Sequence, residues 1–253
     1  MTEAFARNPR HDVHERIRAF WDADAETYDH APGHAVTDPV IAAAWRDTLH
    51  RHLPAPPVRV LDVGAGTGAL SLMAAELGHR VTALDLSPGM LARLQEKAQA
   101  RGLEIETVVG PADEPPPGPF DAILERHVAW TLPDAVGAFH AWREALAPGG
   151  RLVLYQGLWG GPRRLRRLAA AAVRRLKRVP HDHHAEYDDE LRGAMTFGHG
   201  VTPDGLAAAL ARAAWRRYRV ERLWDVERAE RAAARPVLRH LEYVPRFALL
   251  AEA

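Results

Sequence analysis

Val60-Leu61-Asp62-Val63-Gly64-Ala65-Gly66-Thr67-Gly68 is the stretch on which the fold turns. A short β-rich run, Val58 to Val63, enters three alternate glycines, and an apolar helical run, Leu70 to Leu77, follows at once. Glycine lets a backbone turn tightly and come within van der Waals contact of a ligand. A strand that turns directly into a helix also aims N–H groups and a helix N-terminus at whatever lies above the strand end.

Outward from this loop the pattern repeats. Arg80 to Leu84 reads as a strand and Pro88 to Arg101 as a helix, with Pro88 in the first turn where a missing N–H is harmless. Leu103 to Val109 and Phe120 to Leu124 are the third and fourth strands, Asp134 to Leu146 a helix, and Arg151 to Gln156 a fifth strand after Pro148-Gly149-Gly150. Strands alternating with helices require parallel pairing with right-handed crossovers, so residues 58–156 form an open α/β sheet. Upstream, residues 12–28 carry Val13, Ile17, Phe20 and Trp21 at helical spacing up to Ala31-Pro32-Gly33. A second helix follows Asp38-Pro39 and stops before Pro54-Ala55-Pro56-Pro57. Downstream come a basic amphipathic stretch, Arg163 to Val179, and a His/Asp/Glu-rich segment at 181–190. A helix near Asp204 to Ala214 and two β-like runs, Tyr218 to Leu223 and Leu241 to Leu249, complete the chain. One domain is expected: a helical cap at 1–53, a core at 58–156, an inserted basic helix or lid at 157–200, and the remainder of the sheet at 201–253.

The composition narrows the function. The 33 basic and 33 acidic residues balance, so no global field steers the chain toward nucleic acid or an anionic membrane. Zero cysteines exclude disulfides, thiolate metal sites and cysteine nucleophiles. The spacing of His181, His183 and His184 matches no standard ligand set, and no metal is expected. There is no apolar run of signal-peptide or membrane-spanning length, so the expectation is a cytoplasmic protein without a membrane partner.

Asp85 ends the second strand, Val81-Thr82-Ala83-Leu84-Asp85. An acidic residue in that place of a nucleotide-binding sheet accepts the hydroxyls of a ribose; alone, it would equally serve as a cap before Ser87-Pro88. A dinucleotide loop prefers Gly-x-Gly-x-x-Gly, and Ala69 stands at the last of those positions, which is a mild argument against a nicotinamide cofactor. No Gly-Lys-Ser/Thr is present for a mononucleotide phosphate. A ligand with an adenosine half and no phosphate stays open.

Residues 60–68, together with Ala-Leu-Asp-Leu-Ser-Pro-Gly-Met-Leu (83–91), Phe-Asp-Ala-Ile-Leu-Glu-Arg-His-Val-Ala-Trp-Thr-Leu-Pro-Asp (120–134) and Leu-Ala-Pro-Gly-Gly-Arg-Leu-Val-Leu (146–154), resemble the class I S-adenosylmethionine-dependent methyltransferases. The likeness implies a doubly wound, mostly parallel seven-stranded sheet of Rossmann-like type, S-adenosyl-L-methionine as cofactor and S-adenosyl-L-homocysteine as product. It implies that Gly64, Ala65 and Gly66 lie against methionine and ribose, and that Asp62 places the methionyl amine. It also implies that Asp85 holds the ribose and that Leu86 and Met90 flank the adenine. Where the family often has an acidic residue after the third strand, this chain has Pro111, leaving Ala112 and Asp113 to meet the adenine. Tyr28 is expected to close over the methionine end, and His34 or Trp45 are candidates for the substrate side, although Trp45, like Phe20, reads first as an aromatic anchor packing a helix onto the sheet; Arg126 is expected to line the cofactor pocket, with a surface position as its alternative.

Methyl transfer from a sulfonium needs alignment and dryness, and a base only when the acceptor must lose a proton. His127 is the candidate base, with a structural histidine as its alternative. The Asp/Asn-Pro-Pro-Tyr/Phe loop of amino-methylating DNA enzymes is missing, and no nucleic-acid substrate is expected. The expected reaction is methylation of O or N on a small molecule, as in secondary metabolism. A peptide acceptor, attracted by the basic helix, and a non-catalytic cofactor-binding protein are the alternatives; monomer or homodimer stays open.

Overall fold

Along the first strand, β1 (Arg59–Val63), alternate side chains enter different cores. Leu61 and Val63 pack with Phe139, Trp142, Leu206 and Leu210, whereas Val60 packs with Trp45, Leu49, Met73 and Val226. A strand buried on both faces needs helices on both, which is why its residues read as a continuous apolar run. The computed structural model describes residues 9–30, 34–158, 187–234 and 244–253. The basic stretch 163–179, the segment 181–186 and the first residues of the expected last strand, 241–243, lie outside the described residues.

Seven strands form one sheet in the order β3-β2-β1-β4-β5-β7-β6. β2 (Arg80–Asp85), β3 (Ile105–Val109), β4 (Phe120–Arg126) and β5 (Leu146–Gly157) continue β1 in parallel. β7 (Arg246–Glu252) runs antiparallel to both β5 and β6 (Arg217–Arg222). The order reverses between β1 and β4, which leaves a crevice beyond their C-terminal ends, the usual ligand position in such sheets.

On one face lie α5 (Ala135–Ala145) and α7 (Pro203–Arg212); on the other lie α2 (Pro39–His52), α3 (Ala69–Glu76) and α8 (Trp224–Ala233). The connection from β2 to β3 is α4 (Pro88–Ala100). Side-chain caps start these helices where the sequence offers them: Asp38 Oδ1 accepts from Val40 N at 2.9 Å, Ser87 Oγ from Met90 N at 3.1 Å and Asp134 Oδ1 from Gly137 N at 2.9 Å. Each such cap is worth about 1 kcal/mol. β4 extends beyond the expected Leu124 to Arg126, and α8 was not anticipated at all.

Before the sheet, α1 (Pro9–Asp24) lies over the crevice, tied to the start of α4 by Asp22, whose Oδ1 accepts from Ser87 Oγ and from Gly89 N at 3.1 Å. A short α6 (Asp189–Gly193) packs beside it: Leu191 joins Ile17, Tyr187 and Met195 in a small cluster. Among the described residues, no helix is long and apolar enough to cross a membrane.

Candidate active site

The crevice is a cavity open to solvent, with about 730 Å³ of non-atom space when that open solvent is included. Its floor is the loop after β1. Gly64 and Gly66 adopt φ of 63° and 54° and present bare backbone to the cavity. A side chain at Gly64 is impossible without rearrangement, since its Cβ would fall 2.0 Å from Val128 Cγ2.

Asp85 stands at the wall, 9% exposed. Oδ2 accepts the Gly66 N–H and Oδ1 the Ser87 N–H, each at 2.8 Å. The helix cap is Ser87 itself, so the carboxylate is not consumed by that duty. A carboxylate offers about four acceptor positions; with two taken by backbone, the remainder suits a pair of hydroxyls. Burial pushes its pKa up to about 6, against the pull of those two N–H groups.

Leu86, Met90, Ala112 and Asp113 line the same cavity from β2, α4 and the β3–β4 connection. Trp142 Nε1 donates to the Ala112 carbonyl at 2.6 Å and fixes that turn. His14 of α1 reaches Asp113, with Nε2 3.3 Å from Oδ1. Tyr28 lies in a 3-10 turn (Tyr28–His30), its ring stacked on His34 at 4.1 Å and facing Gly66. That turn is latched by Asp29, which accepts from Thr67 Oγ1 at 2.6 Å and pairs with Lys97 Nζ at 2.5 Å.

Arg126 lines the cavity beyond Tyr28, with its guanidinium 5.2 Å over the Trp45 ring and Nη2 3.4 Å from the His34 carbonyl. Burial lowers its pKa. Trp45 itself is 2% exposed and packs edge-on against Tyr155. It is a core anchor rather than a wall of the site, and His34 supports Tyr28 from behind.

Three expected placements differ. Asp62 is not on the cavity wall: strand alternation sends it with Val60 to the α3 face, where Oδ2 accepts from Ser71 Oγ at 2.5 Å. Burial raises its pKa to about 7. Ala65 turns its backbone N–H to the Leu84 carbonyl at 3.0 Å and packs inward with Leu72 and Leu91. His127 lines the cavity, but its ring is not set as a base requires. Arg246 Nη1 donates to Nε2 at 3.1 Å. Burial first, then the nearby Arg246 and Arg126 charges, depress its pKa well below the ordinary histidine value. A neutral imidazole whose acceptor nitrogen already takes an arginine proton has no lone pair for a substrate.

The helical cap was expected from the sequence, but not which of its residues roof the cavity, nor one buried acid. Ile17 and Trp21 of α1 line the cavity, and Trp21 packs against Tyr28 and Trp130 with centroids 5.8 and 6.5 Å apart. The helical spacing of that apolar stripe was visible, but not what it covers. Glu125, fully buried on β4, accepts from the backbone of Val128 and Ala129 and from Gln156.

Comparison with known proteins agrees with this geometry. Residues 60–150 match the family model described as a methyltransferase domain. A ubiquinone biosynthesis O-methyltransferase of Xanthomonas campestris pv. campestris is 37% identical over 139 residues, covering 53% of this chain and 54% of that protein. A protein-L-isoaspartate O-methyltransferase of Methylorubrum populi is 33% identical over 149 residues, covering 56% and 66%. The chain thus spans between about half and two thirds of the length of these relatives. Among solved structures, geranyl diphosphate C-methyltransferase from Streptomyces coelicolor superposes with a TM-score of 0.62 over 97% of this chain and 98% of that one, at 15% identity. Its fold is therefore that of the Rossmann-like methyltransferases, and residues 60–150 are the part of the chain that matches a methyltransferase domain.

Proposed function

We propose that this protein binds S-adenosyl-L-methionine in the crevice and transfers its methyl group to an oxygen or nitrogen of a small organic molecule, releasing S-adenosyl-L-homocysteine. The observation that carries the reading is Asp85, buried at the end of β2 with acceptor capacity to spare, beside the left-handed glycine backbone at Gly64 and Gly66 that lines the cavity. When bound, the cofactor supplies a methyl already activated by its sulfonium. The chain's task is alignment and exclusion of water.

Asp85 would hold the ribose, Leu86 and Met90 would sandwich the adenine, and Ala112 and Asp113 would meet its edge. Gly64 and Gly66 would admit the methionine portion, Arg126 would face its charged end, and Tyr28 would close over it. His127 has no proton-accepting part in this scheme, so the acceptor loses its proton, where it must, to solvent or to another group. A small acceptor is supported by the aromatic roof of Trp21, Tyr28 and Trp130 and by the small-molecule reaction in the Xanthomonas relative's name.

Calorimetry with S-adenosylhomocysteine and, in parallel, with a nicotinamide dinucleotide tests the cofactor. Release of S-adenosylhomocysteine across a panel of phenols, amines and carboxylates then tests the reaction. Binding of the dinucleotide with no binding of S-adenosylhomocysteine would refute the reading.

A further inference from the structure

β4 ends in Glu125-Arg126-His127, and consecutive side chains leave on different sides. Arg126 goes to the α2 face with Trp45. Glu125 goes to the other, fully buried, where Oε1 accepts the Val128 N–H and, at 2.8 Å, the Ala129 N–H. Gln156 Nε2 reaches both carboxylate oxygens, at 2.8 and 2.7 Å, from β5, where Leu154 is the residue paired with Glu125. The His127 ring accepts a hydrogen bond on Nε2 from Arg246 Nη1. Arg246 in turn is held by Glu230, with Nε 3.2 Å from Oε2, and its own N–H donates to Glu227 Oε1 at 2.9 Å. Two sets of polar contacts therefore converge on the turn after β4: Glu230 and Arg246 reach His127 from α8 and β7, and Glu125, with Gln156 of β5 on its carboxylate, clasps the Val128 and Ala129 backbone from β4.

That turn does two things a casual loop would not. His127 sits at φ 64°, a left-handed conformation that costs a non-glycine residue about 1 kcal/mol or more and persists only where its surroundings hold it. Val128 then projects into the space that glycine leaves open at position 64, and both residues line the cavity. The wall between the cofactor loop and the rest of the cavity is thus one valine, and its backbone N–H is clasped by Glu125.

The geometry points to Glu125 as a positioning residue for methyl transfer: by accepting the Val128 and Ala129 N–H groups, with Gln156 holding its carboxylate, it fixes the turn and so the wall against which the acceptor is aligned. This inference rests on the methyltransferase reading. The donor count explains why an acid is needed here. Two backbone N–H groups and an amide NH₂ converge on it, and each is a donor. A glutamine at 125 keeps one acceptor but turns its own NH₂ toward donors. Exchanging the pair, Glu125→Gln with Gln156→Glu, restores complementarity: the new amide oxygen serves the turn, and its NH₂ meets the new carboxylate.

The experiment uses the full chain with S-adenosylmethionine and an acceptor that turns over in the panel above, with S-adenosylhomocysteine as the binding probe. Glu125→Gln is expected to lower kcat about 100-fold, the usual effect of a displacement near 1 Å, while S-adenosylhomocysteine affinity stays within about threefold. The exchanged pair is expected to recover at least about tenfold of that loss. Val128→Ala leaves the polar contacts intact, removes the wall, and is expected to lower kcat at least about tenfold at unchanged affinity; it decides the matter if Glu125→Gln does not fold. Wild-type kcat in either folded single variant, or an exchanged pair that folds but is no faster than Glu125→Gln, overturns the inference. Failure of the wild-type protein to bind S-adenosylhomocysteine overturns instead the reading beneath it.

Discussion

Replacing Gly64 by alanine puts the contact between the cofactor loop and the turn after β4 on a measurable scale. Two penalties act. The backbone at φ 63° disfavours any Cβ by about 1–2 kcal/mol. The methyl itself would lie 2.0 Å from Val128 Cγ2, so Val128 or the loop must move, an overpacking cost of about 1–3 kcal/mol. Alanine restricts the unfolded chain more than glycine and returns about 0.4–1 kcal/mol. The expected net loss is roughly 1–4.6 kcal/mol, or about 2–18 °C in Tm for a domain of this size. Chemical denaturation gives the number directly. The two penalties separate in a double-mutant cycle with Val128→Ala, because the nearest remaining atom, the Cβ at 128, lies at 3.1 Å, which a small shift relieves. The coupling should therefore equal the overpacking part, about 1–3 kcal/mol, with the backbone part left behind. A Gly64→Ala protein within 0.5 kcal/mol of wild type, or a cycle with no coupling, would show that the turn does not press on the loop, and the account of the wall would go with it.

Other perturbations probe the rest of the site. The Asp85 carboxyl is raised to about 6, and ribose hydroxyls would favour its ionised form, so S-adenosylhomocysteine affinity should fall as pH drops through 6. Asp85→Asn should bind about 10–150-fold more weakly at pH 8 and lose that pH dependence, as titration calorimetry across pH would show. Asp62 and Glu125 are each raised to about 7. Acids with folded pKa values above their unfolded ones bind more protons when folded, so the ligand-free protein should lose stability from these groups as pH rises from about 4 to about 7, with no further loss above that. Denaturation midpoints that instead rose over this window, after correction for other groups by Asp62→Asn, would contradict the buried placement. His127→Asn, a residue that tolerates the left-handed backbone, should leave the acidic limb of the pH–rate profile where it is, because the wild-type imidazole is already neutral; a limb that disappears would mark the ring as the base after all. Asp29→Ala removes the latch to Thr67 and Lys97 and should weaken S-adenosylhomocysteine about fivefold through faster release, read in stopped-flow dissociation.

What the amino-acid order discloses is the part of the site made by backbone. Gly64 and Gly66 are legible because left-handed backbone favours glycine, and Asp85 because it ends a strand at a recognisable distance from them. Side-chain partnerships across the sheet are another matter. Asp62 and Asp85 are the same residue type near the same loop, yet alternation along β1 turns the first toward Ser71 while the second, last in β2, remains at the rim. His127 beside a cavity looks like a base until Arg246 is brought to its Nε2, and 119 positions separate the two. Helix α8 was hidden by the same chemistry: Glu227, 2% exposed, interrupts the apolar stripe that would have announced it, because it is needed inside to receive Arg222 and the Arg246 backbone. A polar group buried for its partner looks, in one dimension, like a polar group on the surface. Only the register that sets β4 on β5, and β5 on β7, tells them apart. That register is also what makes Glu125 and Gln156 neighbours, so the residues that shape the acceptor wall are those a linear reading is least able to find.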